Sequence, residues 1–293
     1  MKEKSIKKHM IRILSAAIAF ALILTCAHTS IAKSSQKKQK YQIKINKQCC
    51  TVTIYKNVKG KYKPKKAMIC SPGNATPTGT FSLGDKMRWH TLMGPTYGQY
   101  CSRITGRVLF HSVWYYSWGN KTSQCYREYN KLGTLASHGC VRLTVADSKW
   151  IYEKVPSGTP VIIYNSSKPG PLGKPKAIKV NGYSGWDPTD PDDDNPYKKM
   201  KPHIKGVKKH RKIKFGKKFK AKKGITVTNS TGFDAKKLLK VSVSYKPDYL
   251  NHYIWVSKVN TRVPGKYKLK YSVTDELGHK AKKISYVNVR DPA

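Results

Sequence analysis

Cys140 lies in the run Ser137-His138-Gly139-Cys140-Val141-Arg142-Leu143, which holds the side chains best suited to covalent chemistry. A thiol attacks a carbonyl as its thiolate, and a neighbouring imidazole supplies the thiolate by taking the proton. Two imidazoles are candidates. His111 ends the apolar run Arg107-Val108-Leu109-Phe110, 29 positions before Cys140, and His138 precedes it by two. Gly139 permits a tight turn that exposes the sulfur and frees backbone N–H groups to face a developing oxyanion. Arg142 could hold a substrate carboxylate through its forked guanidinium, or it could be one half of a scaffold ion pair. A cysteine with a histidine elsewhere in the chain is by itself a weak flag.

Several short elements must position these residues. Tyr41 to Ile54 alternates apolar and polar residues and predicts a two-stranded hairpin. Ala67 to Cys70, Thr80 to Leu83, Arg107 to Phe110 and Val161 to Tyr164 read as further strands, separated by the turn-rich Ser71-Pro72-Gly73-Asn74 and Thr76-Pro77-Thr78-Gly79. Ala146 to Lys154 is the best helical candidate, with Trp150, Ile151 and Val155 on one face. Trp114, Tyr115, Tyr116 and Trp118 are too dense for a solvated loop, so they either pack as a flap or line a groove.

Composition changes after Tyr164. Residues 166–203 are rich in Pro, Gly, Asp and Lys, as a linker is. Their acidic run Asp192-Asp193-Asp194 lacks the Gly and distal Glu of a calcium loop, so no metal is expected there. Residues 204–293 carry strand-like runs at 225–227, 241–245, 267–273 and 284–289, which suggests a small antiparallel sandwich. Alternation there puts Tyr267, Leu269, Tyr271 and Val273 on one face and lysines on the other.

The formal net charge is +43, from 58 Lys and Arg against 15 Asp and Glu. Residues 198–293 hold 27 of the bases and five of the acids, a net +22. A basic start (Lys2, Lys4, Lys7, Lys8, Arg12), an apolar stretch from Ile13 to Thr25 and small residues at Ser30 and Ala32 predict a secretory leader cleaved after Ala32. An uncleaved anchor is one alternative; lipidation at Cys26 is the other, which Thr25 before it fits poorly. Export disfavours nucleic acid as the partner of so much positive charge and favours anionic wall polymers; a merely soluble, highly charged surface is the alternative. Apart from Cys26 the cysteines are Cys49, Cys50, Cys70, Cys101, Cys125 and Cys140, with no C-x-x-C pair to suggest structural zinc.

These residues carry a resemblance. Ser137 to Leu143 matches the Ser/Thr-His-Gly-Cys signature of the L,D-transpeptidase (YkuD-type) catalytic domain. Phe110-His111-Ser112 resembles that family's upstream histidine strand, and Thr76-Pro77-Thr78-Gly79-Thr80-Phe81 its Thr-Pro-x-Gly-x-Phe turn. The resemblance covers about Lys40 to Tyr164. It implies a mainly β chain with a sandwich-like or barrel-like catalytic domain and a short helix over 33–165, between a 1–32 signal peptide and a 166–203 linker. Residues 204–293 resemble a bacterial immunoglobulin-like sandwich through Pro264-Gly265-Lys266-Tyr267 and Tyr271 to Gly278.

The family implies that Cys140 attacks the carbonyl before the terminal D-Ala of a peptidoglycan tetrapeptide stem. D-Ala leaves, a thioester forms, and an amine of a second stem resolves it to a 3→3 cross-link without a cofactor. His111 is then the proton acceptor and donor. His138, Ser137 and Ser112 support the site, Gly139 and Cys140 N–H groups form the oxyanion hole, and Arg142, Trp114 and Tyr116 bind substrate. Carbapenems are expected to acylate Cys140. The His111-to-Cys140 spacing exceeds the family's commoner one, so Trp114 to Leu135 reads as an inserted lid or substrate loop, which a Cys101–Cys125 disulfide could stiffen. Resolution by water would give an L,D-carboxypeptidase, and another acceptor some other wall acyl transfer. A wall-binding protein with a decayed site is the rival from another class.

Overall fold

In the computed structural model, which describes residues 39–181 and 185–291, the alternation at Tyr41–Ile54 becomes a hairpin of β1 (Tyr41–Asn46) and β2 (Thr51–Val58). The expected leader, with Cys26, lies outside the described residues. The chain continues through β3 (Lys61–Ile69), β4 (Gly79–Ser82), β5 (Lys86–Thr91), β6 (Tyr97–Thr105) and β7 (Val108–Ser112). A short helix α1 (Tyr126–Tyr129) precedes β8 (Val141–Leu143), helix α2 (Val145–Lys154) and β9 (Pro160–Tyr164). Two sheets result, in the orders β3-β2-β1-β9-β4 and β5-β6-β7-β8. Their inner faces and α2 share one core, in which Ile43, Ile45, Val52 and Ile54 meet Phe110, Val141, Leu143, Ile151 and Val155. Thr144 starts α2 by accepting from the Asp147 amide at 3.2 Å, and Ile151 and Val155 are buried with Trp150 against them, as the helical spacing predicts.

The composition of residues 166–203 does not make them a free tether. Asp187, Asp190 and Asn195 are buried, and Val180 and Tyr197 share a small core with Val113, Tyr129 and Leu132. Asp187 Oδ2 accepts from the amide of Val145 at 2.8 Å and Thr189 Oγ1 from that of Ala146 at 3.1 Å. The segment therefore caps the start of α2, whose first amides have no partner within the helix. Asn195 donates to the carbonyls of Asp187 and Asp190, closing the strap on itself. Of the acidic run, Asp192 pairs with Lys121 and Asp193 with Lys198.

The C-terminal unit has β10 (His203–Lys205), β11 (His210–Ile213), β12 (Thr226–Thr228), β13 (Lys240–Lys246), β14 (Ile254–Val256), β15 (Gly265–Thr274) and β16 (Lys280–Val289). A five-stranded sheet in the order β11-β16-β15-β13-β14 faces the pair β10-β12. Tyr267, Leu269, Tyr271 and Val273 are all buried in its core. Its β15–β16 turn touches the strap, where Glu276 pairs with Lys176. The molecule is mainly β, as the resemblance implies.

Candidate active site

A Thr-Pro turn holds the nucleophile's turn in place. After β3 the chain pairs with the residues around Cys140, Ser71 exchanging both backbone hydrogen bonds with Arg142 at 2.8 and 3.0 Å. Thr76 Oγ1 accepts from the Gly73 amide at 2.8 Å and donates to the Gly139 carbonyl at 2.7 Å. Lys47 Nζ fixes the same turn through the carbonyls of Asn74 and Thr76. The glycine this arrangement demands is Gly73, where a Cβ would lie 2.1 Å from the Ser137 carbonyl oxygen. Gly139 has no left-handed φ, and a Cβ there would meet only ordinary contacts from 3.7 Å. The turn that Gly139 was expected to permit therefore makes no use of its missing Cβ.

Cys140 and His111 line one cavity of about 740 Å³. His111 lies on β7 and Cys140 immediately precedes β8, and the two strands run parallel, with His111 beside Arg142 and Phe110 beside Val141. Pleating puts Cys140, Arg142, Leu109 and His111 on the same face. The sulfur donates to the Arg107 carbonyl at 3.5 Å and receives the Leu109 amide. Among the described residues it makes no hydrogen bond to an imidazole. Burial pushes its thiol up, against the Leu109 amide and the Arg142 charge, which favour the thiolate.

His111 is buried, and its Nδ1 lies 2.5 Å from the Ser112 carbonyl oxygen. A carbonyl only accepts, so Nδ1 carries the proton and Nε2 of the neutral ring is an acceptor. Burial, with Arg142 and His90 nearby, lowers the pKa of His111 to about 3. The resting pair is therefore a neutral thiol and a neutral imidazole, and proton transfer must accompany attack. Gly98 on β6 makes room for the ring: a Cβ there would be 3.1 Å from Nδ1 and 3.2 Å from the His111 Cβ.

The remaining expected residues divide. Ser137, His138 and Gly139 line the cavity, His138 exposed and Ser137 Oγ bonded to the Cys140 carbonyl at 2.5 Å. Among the described residues, the amides of Gly139 and Cys140 have no protein acceptor, as an oxyanion hole requires. Trp114 lines the cavity; Tyr116 packs edge-on behind it at 4.9 Å and is not part of the wall. Ser112 is corrected: its hydroxyl is turned away, bonded to the Gln99 amide and the Val113 carbonyl, and only its backbone carbonyl serves His111. Arg142 reaches the wall with its charge already paired to Glu128, which fits the scaffold alternative.

Cys101 and Cys125 are both free thiols, so the suggested disulfide is absent. Burial pushes Cys101 up to about 12. The Trp114–Leu135 excursion is instead fixed by packing, with Tyr115, Tyr129 and Leu132 buried and the Cys125 amide bonded to the Trp114 carbonyl. Reading the sequence missed His90, Arg103 and Arg107, which also line the cavity. Arg103 is held by Asp85. Arg107 is exposed and, among the described residues, has no acidic partner. Its only signal is its place in the Gly106-Arg107 turn leading into the histidine strand. No Asp or Glu lines the cavity, so its charge suits an anionic ligand.

Residues 40–163 match the family model of the L,D-transpeptidase catalytic domain. The Bacillus subtilis (strain 168) protein YciB, which bears an L,D-transpeptidase name, is 40% identical over 94 residues, 31% of this chain and 47% of that protein. The chain thus spans about half the length of this curated relative. Among solved structures, an L,D-transpeptidase from Mycobacterium tuberculosis H37Rv is 24% identical, covering 43% of this chain and 58% of the other at TM-score 0.34. A fused Zn-dependent amidase/peptidase/peptidoglycan-binding domain-containing protein from Clostridium acetobutylicum ATCC 824 is 26% identical, covering 47% and 59%, also at TM-score 0.34. Scores this low leave the assignment to the family model and the sequence relative.

Proposed function

We propose, from the premise that residues 40–163 are an L,D-transpeptidase catalytic domain, that this chain cross-links peptidoglycan stems through a thioester on Cys140. The observation that carries the reading is one cavity lined by Cys140, by His111 with its Nε2 unprotonated, and by Gly139 and Cys140 with unpaired amides, and by no carboxylate. As Sγ attacks the carbonyl before the terminal D-Ala of a tetrapeptide stem, its proton passes to Nε2. The Gly139 and Cys140 amides receive the developing oxyanion. The tetrahedral centre then collapses, the C–N bond breaks, and the imidazolium returns the proton to the departing D-Ala amine. In the second half the acceptor stem's side-chain amine attacks the thioester, His111 takes its proton, and the restored thiol leaves with it. The product is a 3→3 cross-link. Each imidazolium state is short-lived because burial and Arg142 disfavour it.

The site is expected to act outside the cell, where its substrate lies, with the C-terminal unit as an immunoglobulin-like spacer or wall-adhesion module. Purified chain incubated with disaccharide-tetrapeptide should yield a dimer and free D-Ala by mass spectrometry, and Cys140→Ala neither. Intact mass after meropenem should rise by one adduct in the wild type and stay unchanged in Cys140→Ala. Released tripeptide without dimer would sink the cross-linking claim and leave a carboxypeptidase.

A further inference from the structure

The five-stranded sheet of the C-terminal unit has no Asp or Glu in any strand. Its register lays out the solvent face in rows across neighbouring strands. One row runs His210, Tyr286, Lys268, Ser244, Trp255; the row beside it runs Lys212, Asn288, Lys266, Lys246. On the other side Lys270 is followed by the row Lys240, Ser272, Lys282, and then by Lys280 beside Thr274. Eight lysines thus share one face at spacings of about 5 Å across strands and about 7 Å along them. Rings interrupt the array. Trp255 on the edge strand is 74% exposed, and Tyr253 lies under the Lys268 ammonium, 5.8 Å to the ring centroid.

Such crowding of like charge opposes folding and is retained here without a single acidic counterion in the strands. The five acids of residues 198–293 sit elsewhere, with Asp275 and Glu276 turned to the strap side by Ser230 and Lys176. We infer that this face is a docking surface for a linear polyanionic glycan whose units are joined by phosphodiesters. Lysine binds phosphate as a point charge without a fixed geometry, which suits a flexible polymer, and the face presents no arginine fork of the kind that bidentate recognition of a carboxylate or phosphate uses. An exposed Trp edge offers a ring to the apolar face of a sugar or polyol. Nucleic acid fits less well. A single strand needs a succession of free rings for its bases, but His210 and Tyr286 are already stacked on each other at 5.6 Å and 19°.

The inference rests on the sheet face and not on the reaction of Cys140, and its test has no catalytic readout. Binding of the full chain to a glycerol-phosphate polymer, to polygalacturonate and to a short oligothymidylate would be titrated near physiological ionic strength. Two charge-matched triples are compared: Lys266, Lys268 and Lys270→Glu on the face, and Lys61, Lys63 and Lys65→Glu on the exposed part of β3. The face triple should weaken glycerol-phosphate polymer binding by about tenfold or more, and the β3 triple by less than about threefold. Trp255→Ala, at an exposed position that leaves the core intact, should weaken it about threefold and keep the same salt slope. Equal losses from both triples would mean attraction to net charge alone and overturn the inference. Tighter binding of oligothymidylate would overturn it in favour of nucleic acid, and equal binding of polygalacturonate would overturn the assignment to phosphate. If the Glu face triple fails to fold, both triples changed to Gln give the same charge-matched comparison.

Discussion

Strands β6 and β15 are both interior strands of their sheets, yet they are built on opposite plans. β15 alternates without a break: Tyr267, Leu269, Tyr271 and Val273 go into the core, and Lys266, Lys268, Lys270 and Ser272 face water. β6 is buried from Gly98 through Ser102 with no alternation, and two of its buried residues, Gln99 and Ser102, are polar. The difference follows from what covers each strand. One face of β15 is wet. β6 is covered by the imidazole of His111 at Gly98, by Asp190 of the strap at Gln99, and by Tyr152 of α2 at Tyr100. A strand that holds a site is thereby deprived of the periodic signature that marks an ordinary one.

The contrast breaks first at Gly98. Gly98→Val places new atoms against Nδ1 and Cβ of His111 and must move the ring. Since a misplacement of about 1 Å can cost about a hundredfold, carbapenem acylation of Cys140 should fall by about that factor. Ser272→Val at an outward position of β15 should leave acylation unchanged. Stopped-flow acylation measures both. A Gly98→Val rate within threefold of wild type would mean that the ring's position is not set by this close approach.

Asp187 tests the strap. Asp187→Ala leaves the buried Val145 amide unpaired and removes the acceptor of Thr189, so the cost should be about 2–3 kcal/mol in chemical denaturation. Asp248→Ala in the C-terminal unit, exposed and outside the sheet, should cost nothing measurable. A neutral result at Asp187 would return residues 166–203 to the role of a passive linker.

These two sites explain what could be read in advance. The β1–β2 hairpin, α2, β9 and β15 declare themselves because each has one dry face and one wet one, and hydrophobic periodicity reports only that. Cys140, His111 and the Thr76 turn were legible as residue types in order. Gly98, Arg107 and the strap were not. Gly98 matters for what lies across the sheet, Arg107 for which charges are left unpaired, and Asp187 for an amide 42 residues away in sequence. Composition marks Pro and Asp as linker residues, while here the same residues form turns that cap a helix. Tyr116 and Ser112 misled in the same way, since their sequence neighbourhood is the site but their side chains point elsewhere.

Within β15 the effect of polar atoms should be small and local. Tyr271 donates to the Ala221 carbonyl at 3.0 Å, and Tyr271→Phe should lower stability by about 1 kcal/mol with no change in acylation. Smaller still is the expected effect of acid on the chemistry. An imidazole of ordinary pKa would be about thirtyfold depleted in its neutral form at pH 5. His111 at about 3 should stay neutral, so the acylation rate should fall less than about twofold between pH 7 and pH 5 from this cause. For stability the signs differ. The folded state resists protonating His111, so stability is lost as pH falls from about 6.5 towards 3. Asp187, raised to about 6 by burial, holds a proton the unfolded chain releases, so its contribution improves as pH falls from 6 towards 4. An inflection in the acylation rate near pH 6.5 that vanishes in His111→Gln would show an ordinary imidazole.

The smallest expected effect is also the sharpest test of what the outer face of β15 is for. Lys270 lies beside Lys268 on its own strand and diagonal to Lys240 and Lys282 on the two neighbours. Four ammonium groups at such separations repel one another, each close pair costing a few tenths of a kcal/mol in water. Lys270→Glu turns those repulsions into attractions, so the variant should be more stable by about 0.5 kcal/mol, and the gain should shrink with added salt as screening grows. A residue whose reversal stabilises the fold is not there for the fold. Thermal melts at low and high salt would read the gain directly. A Lys270→Glu variant that melts lower than wild type at low salt would mean that the lysine is part of the scaffold, and the division between a strand built around a site and a strand built around a wet charged face would no longer hold.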